Sequence, residues 1–300
     1  MKRVSHEMTE FALEICPNDL WTALLNAVDC VITMMTLTHT SKTCKRQVAN
    51  FAIQNKIPFI LICADIAAKG YLNVLKWAHE LGYPINQHWS DTCGAAAFHG
   101  HLEILQWTNQ NGCAIDNYIC ERAAHGGQLE VLQWAIQNGG SWSDYTAAYA
   151  AKGGHLHVLK WAHENGCPME GTLMSSEAAE AGQLEVLIWA KDNADYWNID
   201  YWKNRWVCFA AAKGNHLHVL KWARENDYEW DIATCRIAAS FGHFEILKWA
   251  HENGCSWDST ICREAVSNDQ LEILQWVRSK GCPWDPEIEH LAKQKWPDVF

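Results

Sequence analysis

Long apolar runs are missing from this chain of 300 residues: nowhere does it hold the roughly 18 consecutive apolar residues that a membrane-crossing helix needs. Clusters of basic residues are missing too. Lys and Arg number 24 against 35 Asp and Glu, a formal net charge of −11. Nucleic acids and anionic membrane surfaces are held by cations that neutralise phosphates, so neither is expected as a primary partner. There is no Cys-x-x-Cys among the thirteen cysteines, and no apolar segment follows Met1-Lys-Arg-Val-Ser-His-Glu as it would in a secretory leader. The expectation is reduced thiols in an intracellular, cytoplasmic setting. Neither Gly-x-Ser-x-Gly nor His-Glu-x-x-His occurs, so the strand-turn-helix nucleophile and the zinc-protease helix are excluded. A non-enzyme without metal or cofactor is expected.

What is present is one phrase, written again and again. His101-Leu102-Glu103-Ile104-Leu105-Gln106-Trp107 returns around Trp77, Trp134, Trp161, Trp189, Trp222, Trp249 and Trp276, at spacings of 30, 27, 27, 28, 33, 27 and 27. A period in this range means stacked units, none of which can bury its apolar face alone. Each unit reads as two helices. In the unit at 92–118, a short helix rich in small residues (Ala96, Ala97) ends at His99-Gly100, where glycine can take the left-handed conformation that closes a helix. A second helix from Leu102 turns an apolar stripe inward, leaves Glu103 and Gln106 to water, and stops at Asn111-Gly112. Because all units carry it, the repeated tryptophan is assigned to packing between repeats. A second slot, filled by Trp142, Trp197, Trp230, Trp257 and Trp284 or by Ile85, Ile115 and Met169, is likewise structural.

Six cysteines (Cys63, Cys93, Cys120, Cys208, Cys235, Cys262) share one slot that Ala147 and Ser175 also fill, which points to a small buried side chain rather than a disulfide. Four more (Cys113, Cys167, Cys255, Cys282) follow a glycine at the end of a second helix. The pairs His99/His101, His155/His157 and His216/His218 could suggest metal ligands. Gln128, Gln183 and Gln270 replace the histidine elsewhere, however, and a ligand would not be exchanged so freely.

The run Ala96-Ala97-Phe98-His99-Gly100-His101-Leu102-Glu103 resembles the ankyrin repeat, and the resemblance extends over about residues 45–295. The family's Thr-Pro-Leu-His tetrapeptide is absent, with Asp91-Thr92-Cys93-Gly94 in its place, and most units are about six residues short of the family's usual period. The residues lost belong to the projecting finger, so blunt connections are implied. These short, tryptophan-bearing units look like the ankyrin arrays of giant DNA viruses, which would place the protein in a host cytoplasm. The 33-residue spacing is the exception. Its extra residues hold Tyr201, Trp202, Arg205 and Trp206, which become the candidate target-binding residues, since aromatic residues and arginine dominate interface energetics.

Residues 1–45 do not follow the repeat. Cys16-Pro17-Asn18-Asp19-Leu20, the helical pattern through Leu24, Leu25 and Val28 to Asp29, and the later Cys44-Lys45 are similar to an F-box. Two features depart from that family: Cys16 stands where Leu is usual, and the stretch Cys30–Leu37 is rich in β-branched residues. The resemblance implies that Pro17, Leu20, Leu24, Leu25 and Val28 dock a Skp1-type adaptor. The expected protein is all-α: an F-box-like segment over 1–45, then an ankyrin-type solenoid of about eight repeats over 46–300, closed by a polar helix from Pro286. Monomeric, it would recruit a protein target to a Skp1/cullin-type ubiquitin ligase. The alternative is a binding module that sequesters its target without any ligase, with the N-terminal segment serving only as a cap.

Overall fold

A computed structural model describes residues 59–80, 89–193 and 205–299, and among them it holds seventeen helices and no strand. The fold class is the all-α repeat architecture expected from the sequence. Contacts divide the chain into two compact units, 1–115 and 116–300. In the first, α1 (Phe59–Ala68) and α2 (Leu72–Glu80) form one hairpin and α3 (Trp89–His99) and α4 (Leu102–Gln110) the next. The second unit continues as α5 (Asn117–His125) with α6 (Leu129–Gln137), α7 (Asp144–Lys152) with α8 (Leu156–Glu164), and α9 (Gly171–Glu180) with α10 (Leu184–Asp192). It then adds α11 (Arg205–Lys213) with α12 (Leu217–Glu225), α13 (Ile232–Ser240) with α14 (Phe244–Glu252), α15 (Ser259–Ser267) with α16 (Leu271–Ser279), and a closing α17 (Pro286–Lys295). The described hairpins thus match the eight repeated phrases. The expected boundary near residue 45 and the whole F-box-like segment lie outside the described residues.

The same physics builds each hairpin. In the second helices the third, fourth and seventh residues are buried, as in Val131/Leu132/Ala135 and Val158/Leu159/Ala162. At 3.6 residues per turn these positions form one stripe. Glu103 and Gln106 on the opposite face are exposed. The helix is then stopped twice over. The Asn138 side chain donates back to the Trp134 carbonyl at 2.8 Å, as Asn111, Asn165 and Asn253 do in their own repeats, and the next residue is a left-handed glycine, Gly112 at φ 97 for example. First helices stack on first helices along the second unit, from α5 on α7 to α15 on α17. Pairs of fully buried alanines (Ala150/Ala151, Ala178/Ala179, Ala211/Ala212, Ala238/Ala239) let their backbones approach. Most begin at a cap, such as Asp231 or Asp285, whose carboxylate accepts a backbone N–H in the first turn.

Successive repeats are tied by a bond that the sequence did not announce. His155, just before α8, donates its Nε2–H to the carbonyl of His125 at the end of α5, at 3.0 Å. His243 reaches the Lys213 carbonyl at 3.0 Å, and His101 in the first unit reaches that of Ala68 at 2.8 Å. Where glutamine stands instead, Gln183 makes the same tie, donating to the Lys152 carbonyl at 3.3 Å, whereas Gln128 donates to the Gly126 carbonyl just before it at 2.8 Å. His and Gln can exchange at such a tie because both offer an N–H of similar reach.

The seven repeated tryptophans from Trp107 to Trp276 lie at a half-buried seam between repeats rather than in the core. There the two tryptophan slots meet: ring centroids are 5.7 Å apart for Trp142/Trp161 and Trp230/Trp249 and 5.6 Å for Trp257/Trp276. Cations cover the outer faces, with Arg224 4.4 Å from the Trp230 centroid and Arg278 4.3 Å from that of Trp284.

Candidate protein-binding surface

Of the residues singled out in the long connection, Tyr201 and Trp202 lie outside the described residues. Arg205 and Trp206 form the first turn of α11 and so belong to the stacked first helices. The register explains Trp206. It stands two residues before Cys208, as Tyr118, Tyr145 and Leu173 stand two residues before the equivalent Cys120, Ala147 and Ser175. This slot faces outward, with Trp206 46% and Tyr145 54% exposed, while the alanines beneath are buried. A row of large apolar side chains therefore runs across α5, α7, α9 and α11. Only Trp206 was legible beforehand, through the anomalous spacing; comparing the repeats at the position two before the cysteine would have revealed the rest.

Trp206 is the ridge between two clefts. On one side, a cleft of about 710 Å³ is lined by Leu173, Ser176 and Glu180 of α9 and by Trp206, Phe209 and Ala210 of α11. On the other, a smaller one of about 330 Å³ lies between Trp206 and Phe209 of α11 and Asp231, Ala233 and Arg236 near α13. Phe209 meets the Trp206 ring edge-on at 5.7 Å, and the Arg205 guanidinium lies 5.4 Å from the same ring while pairing with Asp231 at 3.1 Å. Further along, Tyr145 and Tyr149 stand 6.2 Å apart, and Tyr149 stacks on His125 at 5.4 Å.

Charge along the row is mostly paired. Lys152 bonds Glu177 at 2.8 Å, which holds the ammonium above its usual pKa, and Lys213 bonds Glu180 at 2.8 Å. Arg236 is exposed and makes no ion pair among the described residues. His125 is held below the usual imidazole value by burial first, then by the neighbouring Arg122 and Lys152. The surface thus presents neutral aromatic area with one cation free for a carboxylate. Among the described residues no three His, Cys, Asp or Glu side chains converge so as to hold a metal ion, and no helix is long and apolar enough to cross a membrane. The adaptor-docking candidates Pro17, Leu20, Leu24, Leu25 and Val28 lie outside the described residues.

Part of the chain is similar to a known repeat family. Residues 208–251, spanning the hairpins from α11 to α14, match the family model for ankyrin repeats (many copies). Among solved structures, the crystal structure of the human ASB11 ankyrin repeat domain is similar over 55% of this chain and 84% of its own, with 17% identity and a TM-score of 0.41. No curated protein matches the chain. Residues 208–251 are thus similar to ankyrin repeats, and the hairpins before and after them repeat the same two-helix pattern.

Proposed function

We propose that the protein is a non-enzymatic scaffold that grips a protein segment across its first-helix face, with Trp206 at the centre of the contact. The observation that carries this reading is the row of exposed Tyr145, half-buried Leu173 and exposed Trp206, with clefts on both sides of the tryptophan. Large aromatics left in water beside a concave apolar surface are what an interface anchor needs. The matching partner carries an aromatic or aliphatic side chain for the larger cleft and a carboxylate for Arg236. Tyr201 and Trp202, a few residues ahead of the same helix, extend the aromatic contact in this reading.

The finer reading is an adaptor that delivers the bound protein to a Skp1/cullin-type ubiquitin ligase. It rests on the F-box-like text at 15–45, where Pro17, Leu20, Leu24, Leu25 and Val28 would form the docking face.

Two experiments separate these layers. Because Trp206 is half exposed, Trp206→Ala should change the melting curve by less than about 0.5 kcal/mol yet abolish capture of the target in a pull-down read by mass spectrometry. Deleting Asn198 to Lys203, which restores the common 27-residue spacing, should do the same. Unchanged capture by both variants would move the binding surface elsewhere. Independently, Leu20→Asp with Leu24→Asp should remove Skp1 binding and leave the helical circular dichroism intact. If Skp1 fails to bind even the unaltered chain, the ligase reading falls and the scaffold reading stands.

A further inference from the structure

The two recurring cysteine slots, twenty residues apart in sequence, face each other once a hairpin closes. In the first unit, the Cys93 sulfur on α3 lies 2.6 Å from that of Cys113, which follows α4. In the second unit, Cys235 and Cys255 are hydrogen-bonded thiol to thiol, and so are Cys262 and Cys282. Other repeats keep the contact but hold one sulfur. A Cβ at Gly140 would stand 2.7 Å from the Cys120 sulfur, Cys167 takes a backbone hydrogen bond at Ala147, and the Cys208 sulfur lies 4.0 Å from the Tyr228 carbonyl. Adjacency therefore belongs to the fold, and pairing depends only on which repeats carry both cysteines.

We propose that Cys93/Cys113, Cys235/Cys255 and Cys262/Cys282 are reversible disulfide sites, each closed within its own repeat by a low-molecular-weight disulfide. The thiolate of the second cysteine of a pair attacks the small disulfide, forms a mixed disulfide and expels one small thiol. The thiolate of the first then attacks the protein sulfur of that mixed disulfide and expels the other. Two protein thiols lose two protons and two electrons, and one small disulfide becomes two thiols.

Position and hydrogen bonding assign these roles. Cys255 and Cys282 sit just past the left-handed Gly254 and Gly281, in a connection that must open for the attack, since the two residues are only 4% and 1% exposed. The hydrogen bond from the partner thiol stabilises their thiolates and pulls their pKa down, while the same bond and burial push Cys235 and Cys262 up. A lowered thiol is the one that attacks. Closure would link the first helix of the repeat to the far end of the second, so the hairpin could not open without breaking the bond, and the unfolded chain would lose entropy. Ala147 and Ser175 in the same slot make the bond dispensable for folding, which suits a reversible modification better than a structural staple.

The test uses the full chain, reduced and then incubated with oxidised glutathione, after which remaining thiols are alkylated and the digest is mapped by mass spectrometry. Linked peptides joining 93 to 113, 235 to 255 and 262 to 282 are expected, with a melting temperature that rises by several degrees and falls back with dithiothreitol. Cys235→Ala, a residue its slot already accepts at Ala147, should lose the 235–255 link alone and leave glutathione trapped on Cys255. Glutathione persisting on both members of each pair in the unaltered chain, links scattered among other cysteines, or thiols that stay fully reduced would each overturn the proposal.

Discussion

His155 does one job that a glutamine can also do: it hands an N–H to a main-chain carbonyl of the preceding repeat. A ring nitrogen facing a carbonyl carries a hydrogen in either protonation state, so protonation does not break the bond. It adds a charge to a half-buried ring. Burial accordingly holds His155, His216 and His251, like His125, below the usual imidazole pKa of about 6.5. With folded values depressed, the unfolded chain binds more protons just below that pH. The histidines' contribution to stability is therefore present above about pH 6.5 and is lost as pH falls through the lower folded values. The melting temperature should drop between pH 7.5 and 5.5, and His155→Gln should reduce the drop while leaving the pH 7.5 value nearly unchanged. A melting curve indifferent to pH over that interval would remove this account of the His/Gln exchange.

At the scale of the element, the tryptophan seam makes stability a matter between neighbours. Trp161 packs against Trp142 from the repeat before, and it is half-buried. Trp161→Ala should cost about 2–3 kcal/mol, at or below the low end of the range for fully buried aromatics. Hydrogen exchange should rise in α6 to α10 and stay protected in α15 to α17; a uniform rise would contradict nearest-neighbour coupling. The helices themselves were legible in the sequence, because Ala-Ala, Gly-His-Leu and Asn-Gly mark the same starts and stops in unit after unit. The half-buried state of the tryptophans was not. A residue with a large ring and a polar N–H recurs equally well in a core or along a seam, and recurrence alone does not separate them. Trp206 stands out in the sequence by its unusual spacing, whereas Tyr145 and Leu173, its neighbours in the row, sit in units of common length and are distinguished only by their register within the first helix. The two cysteine slots likewise look independent in the sequence. Their contact exists only after the hairpin folds back, so no local pattern records it.

For the whole molecule, the ties between repeats have a consequence for length. The N–H of His155 or Gln183 is given to a backbone carbonyl, a group that every repeat owns whatever its side chains. Nothing in that bond checks the identity of the preceding repeat. Excising Ala135 to Trp161 joins Trp134 to Ala162 and removes one period, and Gln183 would then find the carbonyl of His125 where that of Lys152 had been. The shortened chain should fold with helix content reduced in proportion, as circular dichroism would measure, and a loss of cooperative melting would refute the idea. Its surface, however, would be a different text: Leu173 would follow Tyr118 directly, and the stacked tyrosines would be gone. Such a chain is written in interchangeable words, so that copying or dropping one rewrites what the surface can bind while the grammar that folds it stays the same.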